Sequence, residues 1–287
     1  MHLFVDNFTN IDFSYLDIRR GLVGETWLVS ITLEGLLDDQ GMVCDFGTVK
    51  KTVRDWLDTY IDHCLVVPGQ ATGLHKEQTE HCSYINWLYQ DSHNKDKRLH
   101  CNSPKQAITF IDSDTVTPES MANWCIQQLS LLLTDTIHKV KLSFAPERIE
   151  HAFYHYSHGL KKHVGNCQRI AHGHRSTIAI TENGKRNHEL ETQWCAQWQD
   201  IYIGSQEDLT ATTRNEGVEY YHFTYQARQG DFELMVAAED CYLINTDTTV
   251  ELIAQHIADT LGEQYPDREF VVKAYEGIGK GAVATNR

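Results

Sequence analysis

Trp27-Leu28-Val29-Ser30-Ile31-Thr32-Leu33-Glu34-Gly35 reads as a strand that stops at a turn: β-branched residues alternate through it and a glycine ends the run. At a spacing of 149 residues, Ser176-Thr177-Ile178-Ala179-Ile180-Thr181-Glu182-Asn183-Gly184 reads the same way. Further matches follow in the same order. Thr117-Pro118-Glu119-Ser120-Met121-Ala122 opens a helix through Trp124, Ile126 and Leu129, and Thr249-Val250-Glu251-Leu252-Ile253-Ala254 opens another 132 residues on. That spacing is kept from Val140-Lys141 to Val272-Lys273, and Trp87-Leu88-Tyr89-Gln90 is echoed by Phe223-Thr224-Tyr225-Gln226. The common order predicts a duplicated domain, residues 1–145 and 146–287.

Each half has the pattern β-β-α-β-β-α-β. Strands are expected at about 2–14 and 26–35, and at about 150–160 and 174–183. Val49, Val53, Trp56, Leu57 and Tyr60 have helical spacing over Gly47–Ile61. The matching Thr192–Ile203 has weaker periodicity and reads as irregular. A strand pair precedes a second helix (about 118–133; about 249–262), and a last strand closes each half (about 137–144; about 269–276). This is an α+β chain of two antiparallel sheets, each covered by helices on one face.

Composition narrows the function. The 287 residues are 41% hydrophobic, enough for a substantial core, and 25 Lys+Arg against 40 Asp+Glu leave a net charge of −15. That charge argues against nucleic acid as a partner. No apolar run reaches membrane-span length and Met1-His2-Leu3-Phe4-Val5-Asp6 lacks signal-peptide character, so no membrane partner and a cytoplasmic location are expected. The eight cysteines (Cys44, Cys64, Cys82, Cys101, Cys125, Cys167, Cys195, Cys241) contain no C-x-x-C pair and read as reduced thiols.

Sixteen histidines stand out. His172-Gly173-His174 opens a strand, where residues i and i+2 share a face, so two imidazoles project side by side. His158, one strand earlier, supplies a third. Three histidines with an open position make up a catalytic zinc site; the same residues also read as half-buried strand histidines. Cys167 lies in the intervening loop, as a thiol activated by a nearby cation or as a small buried hydrophobe. Asp62-His63 ends the first helix. It reads as a surface acid beside a histidine favoured by the helix dipole, or as a proton-transfer pair. Glu276 ends the last strand and suits a two-point clamp on a guanidine-like edge, or solvation as an ordinary charge. His75, His81, His93 and His100, with Cys82 and Cys101, lack metal-finger spacing and read as solvated loop.

Gly41-Met42-Val43-Cys44-Asp45-Phe46-Gly47-Thr48-Val49-Lys50, then Leu57 and Asp62-His63, resembles the G-M-V-x-D-F-x-x-L-K…D-H stretch of the 6-pyruvoyl- and 6-carboxy-tetrahydropterin synthases. His158, Cys167 and His172-Gly173-His174 resemble that family's zinc and cysteine motif, and Val272-Lys273-Ala274-Tyr275-Glu276 its closing V-x-V-x-E-T. The resemblance implies two tunnelling-fold units per chain, and zinc held by His158, His172 and His174. It implies Cys167 as general base with Asp62-His63 as the second proton-transfer element, and Glu276, with Thr249 and Glu251, as substrate-binding. The implied reaction converts 7,8-dihydroneopterin triphosphate to a 6-substituted tetrahydropterin with release of triphosphate. The bacterial look of D-F-x-x-L-K favours the 6-carboxy product of deazapurine (queuosine-type) biosynthesis. A 6-pyruvoyl product and a non-catalytic pterin- or zinc-binding protein are the alternatives.

The copies are damaged in complementary ways. The N half has Val23-Gly24-Glu25 at the H-G-H position, Asp12 at the upstream His, Arg19 near the Cys and Phe144 at the closing Glu. The C half lacks the Asp-His pair: Glu233 through Thr249 contains no histidine. Family sites are composites across subunit contacts, so one complete site per chain is implied, in a homo-oligomer: a trimer imitating a hexamer, or a dimer or tetramer. Departures are the four residues between Cys167 and His172, Val66-Val67 for Leu-Asn, Gly277 for Thr, and extra strand pairs at about 83–112 and 218–237.

Overall fold

The computed structural model describes residues 1–130 and 137–287. In the N half, β1 (His2–Asp17) and β2 (Gly21–Gly35) make one long antiparallel hairpin. Helix α1 (Phe46–Tyr60) follows, its N-terminus capped by Asp45, whose carboxylate accepts from the Thr48 N–H. Then come β3 (Leu65–Pro68), β4 (Leu74–Gln78), β5 (Cys82–Gln90), β6 (Asp96–Pro104), β7 (Ile108–Ile111), α2 (Pro118–Leu129) and β8 (Ile137–Pro146). A Thr117/Ser120 capping box and Pro118 in the first turn start α2. The last residues expected for this helix, 131–133, lie outside the described residues.

The C half repeats the plan. Its elements are β9 (Phe153–His158), β10 (His172–Glu182), β11 (Lys185–Arg186), α3 (His188–Gln197), β12 (Ile201–Ser205), β13 (Leu209–Asn215), β14 (Val218–Ala227), β15 (Gly230–Ala237), β16 (Cys241–Ile244), α4 (Val250–Gln264), β17 (Phe270–Tyr275) and β18 (Gly281–Thr285). The N-half sheet runs β7-β3-β1-β2-β8 and the C-half sheet β16-β12-β9-β10-β17-β18, with β11 on β10. Both are antiparallel about their central hairpin, but the β3, β7, β12 and β16 ladders are parallel, a mixture that strand count alone did not reveal. Helices cover one face of each sheet. Val53 and Leu57 of α1 and Met121 of α2 pack on Phe13, Trp27 and Ile31. Trp194 of α3 and Ile253 and Ile257 of α4 pack on Tyr154, Ile180 and Val272.

Three expectations are corrected here. The segment read as irregular, Thr192–Ile203, holds the second half of α3, which starts earlier at the Asn187 cap, and the first residues of β12. The helix's apolar stripe is interrupted because Glu191 is itself buried, bonded to the Ile180 N–H and to Arg186. A further strand, β18, follows the one expected to close the chain, and forms a hairpin with β17. The two inserts are not separate strand pairs. They make one sheet, β13-β14-β15-β6-β5-β4, joined across the halves where β15 pairs with β6. One face of it closes a third core, with Trp87, Leu99, Phe223 and Leu234 against Leu16, Leu65, Ile170 and Tyr202. Thus His75 and His100 lie on strands, and Cys101 is buried in that core, which replaces the expected solvated loop.

The halves meet at the centre of their sheets. A Cβ on Gly24 would stand 1.8 Å from the Tyr156 carbonyl oxygen, and one on Gly173 would stand 2.6 Å from the Gly24 Cα. The Ser14 and Ser157 hydroxyls bond at 2.7 Å, buried. Ser14 faces Gly24 and Ser157 faces Gly173 in their hairpins, which sets the structural equivalence of the copies. Tyr15, not Asp12, stands at the His158 position, and Asp12 stands at His155. On the same register Leu142 matches Val272 and Pro146 matches Glu276, two residues away from the spacing of 132 and from Phe144. Gly24→Ala is expected to cost about 3 kcal/mol or more, because backbone rather than a yielding side chain is in the way. Thermal unfolding checks this, and an unchanged Tm would show that the halves do not meet at Gly24.

Candidate active site

His158 and His172 face each other across the β9–β10 ladder, and His174 follows two residues on, on the same face. All three are fully buried, and one ring nitrogen of each lies within 4.8 Å of the others. The other nitrogens are directed outward. His158 Nδ1 lies 2.9 Å from the Thr248 carbonyl and His172 Nδ1 lies 2.8 Å from that of Arg169. His174 Nδ1 faces Asp12 Oδ1 at 3.2 Å. For His158 and His172, outer acceptors of this kind fix the tautomer that presents Nε2 inward, as metal-binding histidines require; His174 Nδ1 lies close to Asp12 without making a hydrogen bond. Burial, then the neighbouring histidines, push His158 and His172 well below the ordinary range, so both are neutral, the ligating form. His172 Nε2 is buried with no hydrogen-bond partner. An orphaned nitrogen aimed at two other imidazole nitrogens fits a metal ion.

The Asp-His pair completes this site from the other half of the same chain. Asp62 lies in the turn just past α1 and its cap Ile61, and His63 follows with φ 56°, which turns its ring toward the C half. The His63 ring lies 5.0 Å from that of His172, and the His63 nitrogen, Cys167 Sγ and the His172 nitrogen lie within 4.8 Å of one another. His63 Nδ1 bonds the Asp62 carboxylate at 2.5 Å. Burial works against a charged ring, but Asp62 and Cys167 outweigh it and raise His63 to about 10. The juxtaposition is therefore made within one chain, not across a subunit contact.

Glu276 closes the site from the end of β17, with Oε1 3.6 Å from His174 Nε2. Gly277 follows at φ 67°, where a Cβ would meet Asp12 Oδ1 at 2.5 Å, so the N half's carboxylate accounts for glycine in place of threonine. Thr249 lines a small cavity of about 190 Å³ with Leu160, Lys162, His163 and Asp247, and its hydroxyl caps α4. Glu251 is exposed in the first turn of that helix. Neither hydrogen-bonds to the histidine cluster; the neighbouring Thr248 does, through His158.

Sequence reasoning missed Asp12, Lys280 and Thr248. Asp12 accepts from the Thr26 hydroxyl at 2.6 Å and from Lys280 Nζ at 3.1 Å. Burial would raise it, but His174, Lys280 and Thr26 hold it far below the carboxylate range. A buried acid in the degraded half was the available signal, once its register was known.

The equivalent position in the N half is closed. Tyr15, Val23 and Glu25 replace the three histidines. The counterpart of His63 is Asp200, which shares its positive φ, rather than anything in 233–249. Arg20 Nε and Nη2 bond Asp200 at 2.8 and 2.5 Å, where the other site sets cysteine against histidine. Glu25 is raised by burial to about 7, and His155, 3.8 Å away, is lowered by burial to about 4. A guanidinium and a carboxylate have taken the place of a metal site.

Fold and site together define a two-unit α+β protein with a histidine-cysteine centre at the junction. The family model for 6-pyruvoyl tetrahydropterin synthase matches twice, over residues 19–152 and 147–286. The chain belongs to that family, as two tandem tunnelling-fold units. It is 23% identical over 132 residues to the "Putative 6-carboxy-5,6,7,8-tetrahydropterin synthase" of Pyrococcus horikoshii, covering 46% of this chain and 73% of that protein. Among solved structures, the 6-pyruvoyl tetrahydropterin synthase of Plasmodium vivax superposes with TM-score 0.39 and 19% identity, over 52% of this chain and 93% of that one. The Plasmodium falciparum enzyme gives 0.38 and 20%, over 51% and 91%. Among the described residues, no helix is long and apolar enough to cross a membrane.

Proposed function

We propose that the chain is a zinc-dependent tetrahydropterin synthase. It converts 7,8-dihydroneopterin triphosphate to a 6-substituted tetrahydropterin, with loss of triphosphate. The observation that carries this reading is the meeting of His63 and Cys167 beside His158, His172 and His174, from two copies each of which is incomplete. His158, His172 and His174 would hold the zinc, which when bound would supply Lewis-acid chemistry at the substrate's side-chain hydroxyls.

The chain's own groups do the rest. Cys167 Sγ takes the proton from the side-chain carbon, and His63, steadied by Asp62, exchanges protons with it. Glu276 accepts hydrogen bonds from the amino-pyrimidine edge of the pterin and so orients the side chain toward Cys167. The 6-carboxy product, whose formation releases the two outer side-chain carbons as a two-carbon aldehyde besides triphosphate, is favoured by the Asp45-Phe46-Gly47-Thr48-Val49-Lys50 stretch, and the location proposed is the cytoplasm. The first test is turnover of dihydroneopterin triphosphate, read as triphosphate release and product mass. The mass separates a 6-carboxy from a 6-pyruvoyl product. Tight pterin binding without triphosphate release would support a binding protein instead.

We further propose that the chain is a homo-oligomer. Among the described residues both main sheets end in strands paired on one side, β7 and β8 in one and β16 and β18 in the other, and unpaired edges invite pairing. Light scattering is expected to give two, three or four times the 32.9 kDa chain mass. A mass of one chain at micromolar concentration would refute assembly and leave the composite site intact.

A further inference from the structure

The inserted sheet reaches the residues flanking Cys167 through the tip of the β14–β15 hairpin and Tyr225 beside it. Cys167 sits in a single 3-10 turn, Asn166–Gln168, inside the long connection from β9 to β10. A loop of that length does not by itself hold a thiol in hydrogen-bond register with a ring from another domain.

Gln229, in the turn between β14 and β15, makes bonds on both sides of Cys167. Its side-chain amide donates to Asn166 Oδ1 at 2.9 Å, and its backbone N–H donates to Gln168 Oε1 at 2.7 Å. Its Oε1 accepts from Arg169 Nε at 3.2 Å. Tyr225, on β14, donates its hydroxyl to the Gln168 carbonyl at 2.7 Å. Arg169 in turn donates to Cys64 Sγ at 2.8 Å, next to His63, and Asn166 donates to the Asp58 carbonyl of α1. The turn bearing the thiol is thus gripped by the insert on one side and by the end of the helix bearing His63 on the other.

We propose that Gln229 is a positioning residue. With Tyr225 it fixes the 166–169 turn so that Cys167 Sγ stays within reach of His63. The insert is then part of the catalytic apparatus through this hairpin tip. Gln229 touches neither the histidine cluster nor His63, so its effect passes through the turn. This inference rests on the proposed role of Cys167 as base.

The test is Gln229→Ala, with Tyr225→Phe as a second variant that removes one hydroxyl and leaves the packing. Three quantities are read: kcat and KM on dihydroneopterin triphosphate, bound zinc, and the alkylation rate of Cys167 by iodoacetamide across pH, resolved by peptide mass. Gln229→Ala is expected to lower kcat roughly 10- to 100-fold, as a misplacement near 1 Å would, with KM within about threefold and zinc unchanged. Its Cys167 alkylation should lose the wild-type pH profile, and Tyr225→Phe should shift in the same direction by less. Retention of kcat and of the alkylation profile in both variants would overturn the proposal. So would parallel loss of zinc and of Tm with the profile of the remaining folded protein unchanged, which would make the hairpin a scaffold only. Alkylation needs no substrate. If wild-type protein fails to turn over the triphosphate but the variants still change Cys167 reactivity, the enzymatic reading fails while the positioning stands.

Discussion

Replacing His172 with alanine is expected to empty the metal site. Wild-type chain should carry one equivalent of zinc after dialysis, and His172→Ala close to none. The reason is geometric. Among the described residues the three buried histidines form one converging group, and His172 Nε2 has no hydrogen-bond partner. Three ligands leave no redundancy, so the loss should exceed the roughly 10–100-fold that removal of an outer-sphere partner costs. Asp12→Asn, which spares all three rings and alters only the carboxylate facing His174, is the comparison for that smaller effect. Metal analysis with a chelator competition reads both. Full zinc retention by His172→Ala would refute the ligand set. Two equivalents in wild type would contradict the closure of the N-half position by Arg20 and Asp200.

Cys167→Ser should lower kcat by roughly 10²–10⁴ while leaving zinc content at one equivalent. The two expectations separate because Cys167 Sγ belongs with His63 and His172 in one cluster but is not part of the three-imidazole group. His63→Gln should have a comparable effect, and the double variant little more than either single one, since groups that act as a unit are not additive. Steady-state kinetics check this, and a Cys167→Ser enzyme within tenfold of wild type would remove the thiol from the proton-transfer role. The same pair gives a pH dependence of stability. His63 is raised in the folded chain from 6.5 to about 10. Its contribution to stability is therefore complete below pH 6.5 and is lost as pH rises through about 10. The Tm difference between wild type and His63→Gln should narrow over that window.

Much of the site was legible in the sequence because its chemistry is written in short-range spacing. His172-Gly173-His174 on a strand must place two rings on one face, and His158 one strand earlier must lie near them. What spacing did not give was register. A two-residue offset between copies is invisible when most matched residues are apolar, so Asp12 was set against His158 and Phe144 against Glu276. The hairpins show Tyr15 and Pro146 there. Helix α3 was missed because a buried Glu191, neutralised by Arg186 and a backbone N–H, breaks the apolar stripe on which periodicity depends. Residue type alone gave Asp62-His63 a surface reading, and the family resemblance set it beside Cys167; the structure brings His63 and Cys167 together from the two halves of one chain.

The sequence by itself determined that the chain is a duplication, that its copies differ in complementary ways, and which histidine, cysteine and acid side chains are candidates for the site. Those properties reside in residue identity and in the periods of strand and helix, which are local. The tertiary structure decided that the two half-sites meet within one chain, that Asp12 of the degraded copy stands behind His174, and that the inserts join into one sheet reaching Cys167. Each depends on contacts between segments a hundred or more residues apart. They are set by close packing at Gly24 and Gly173 and by pairing of β6 with β15, for which no local pattern in the chain provides a record.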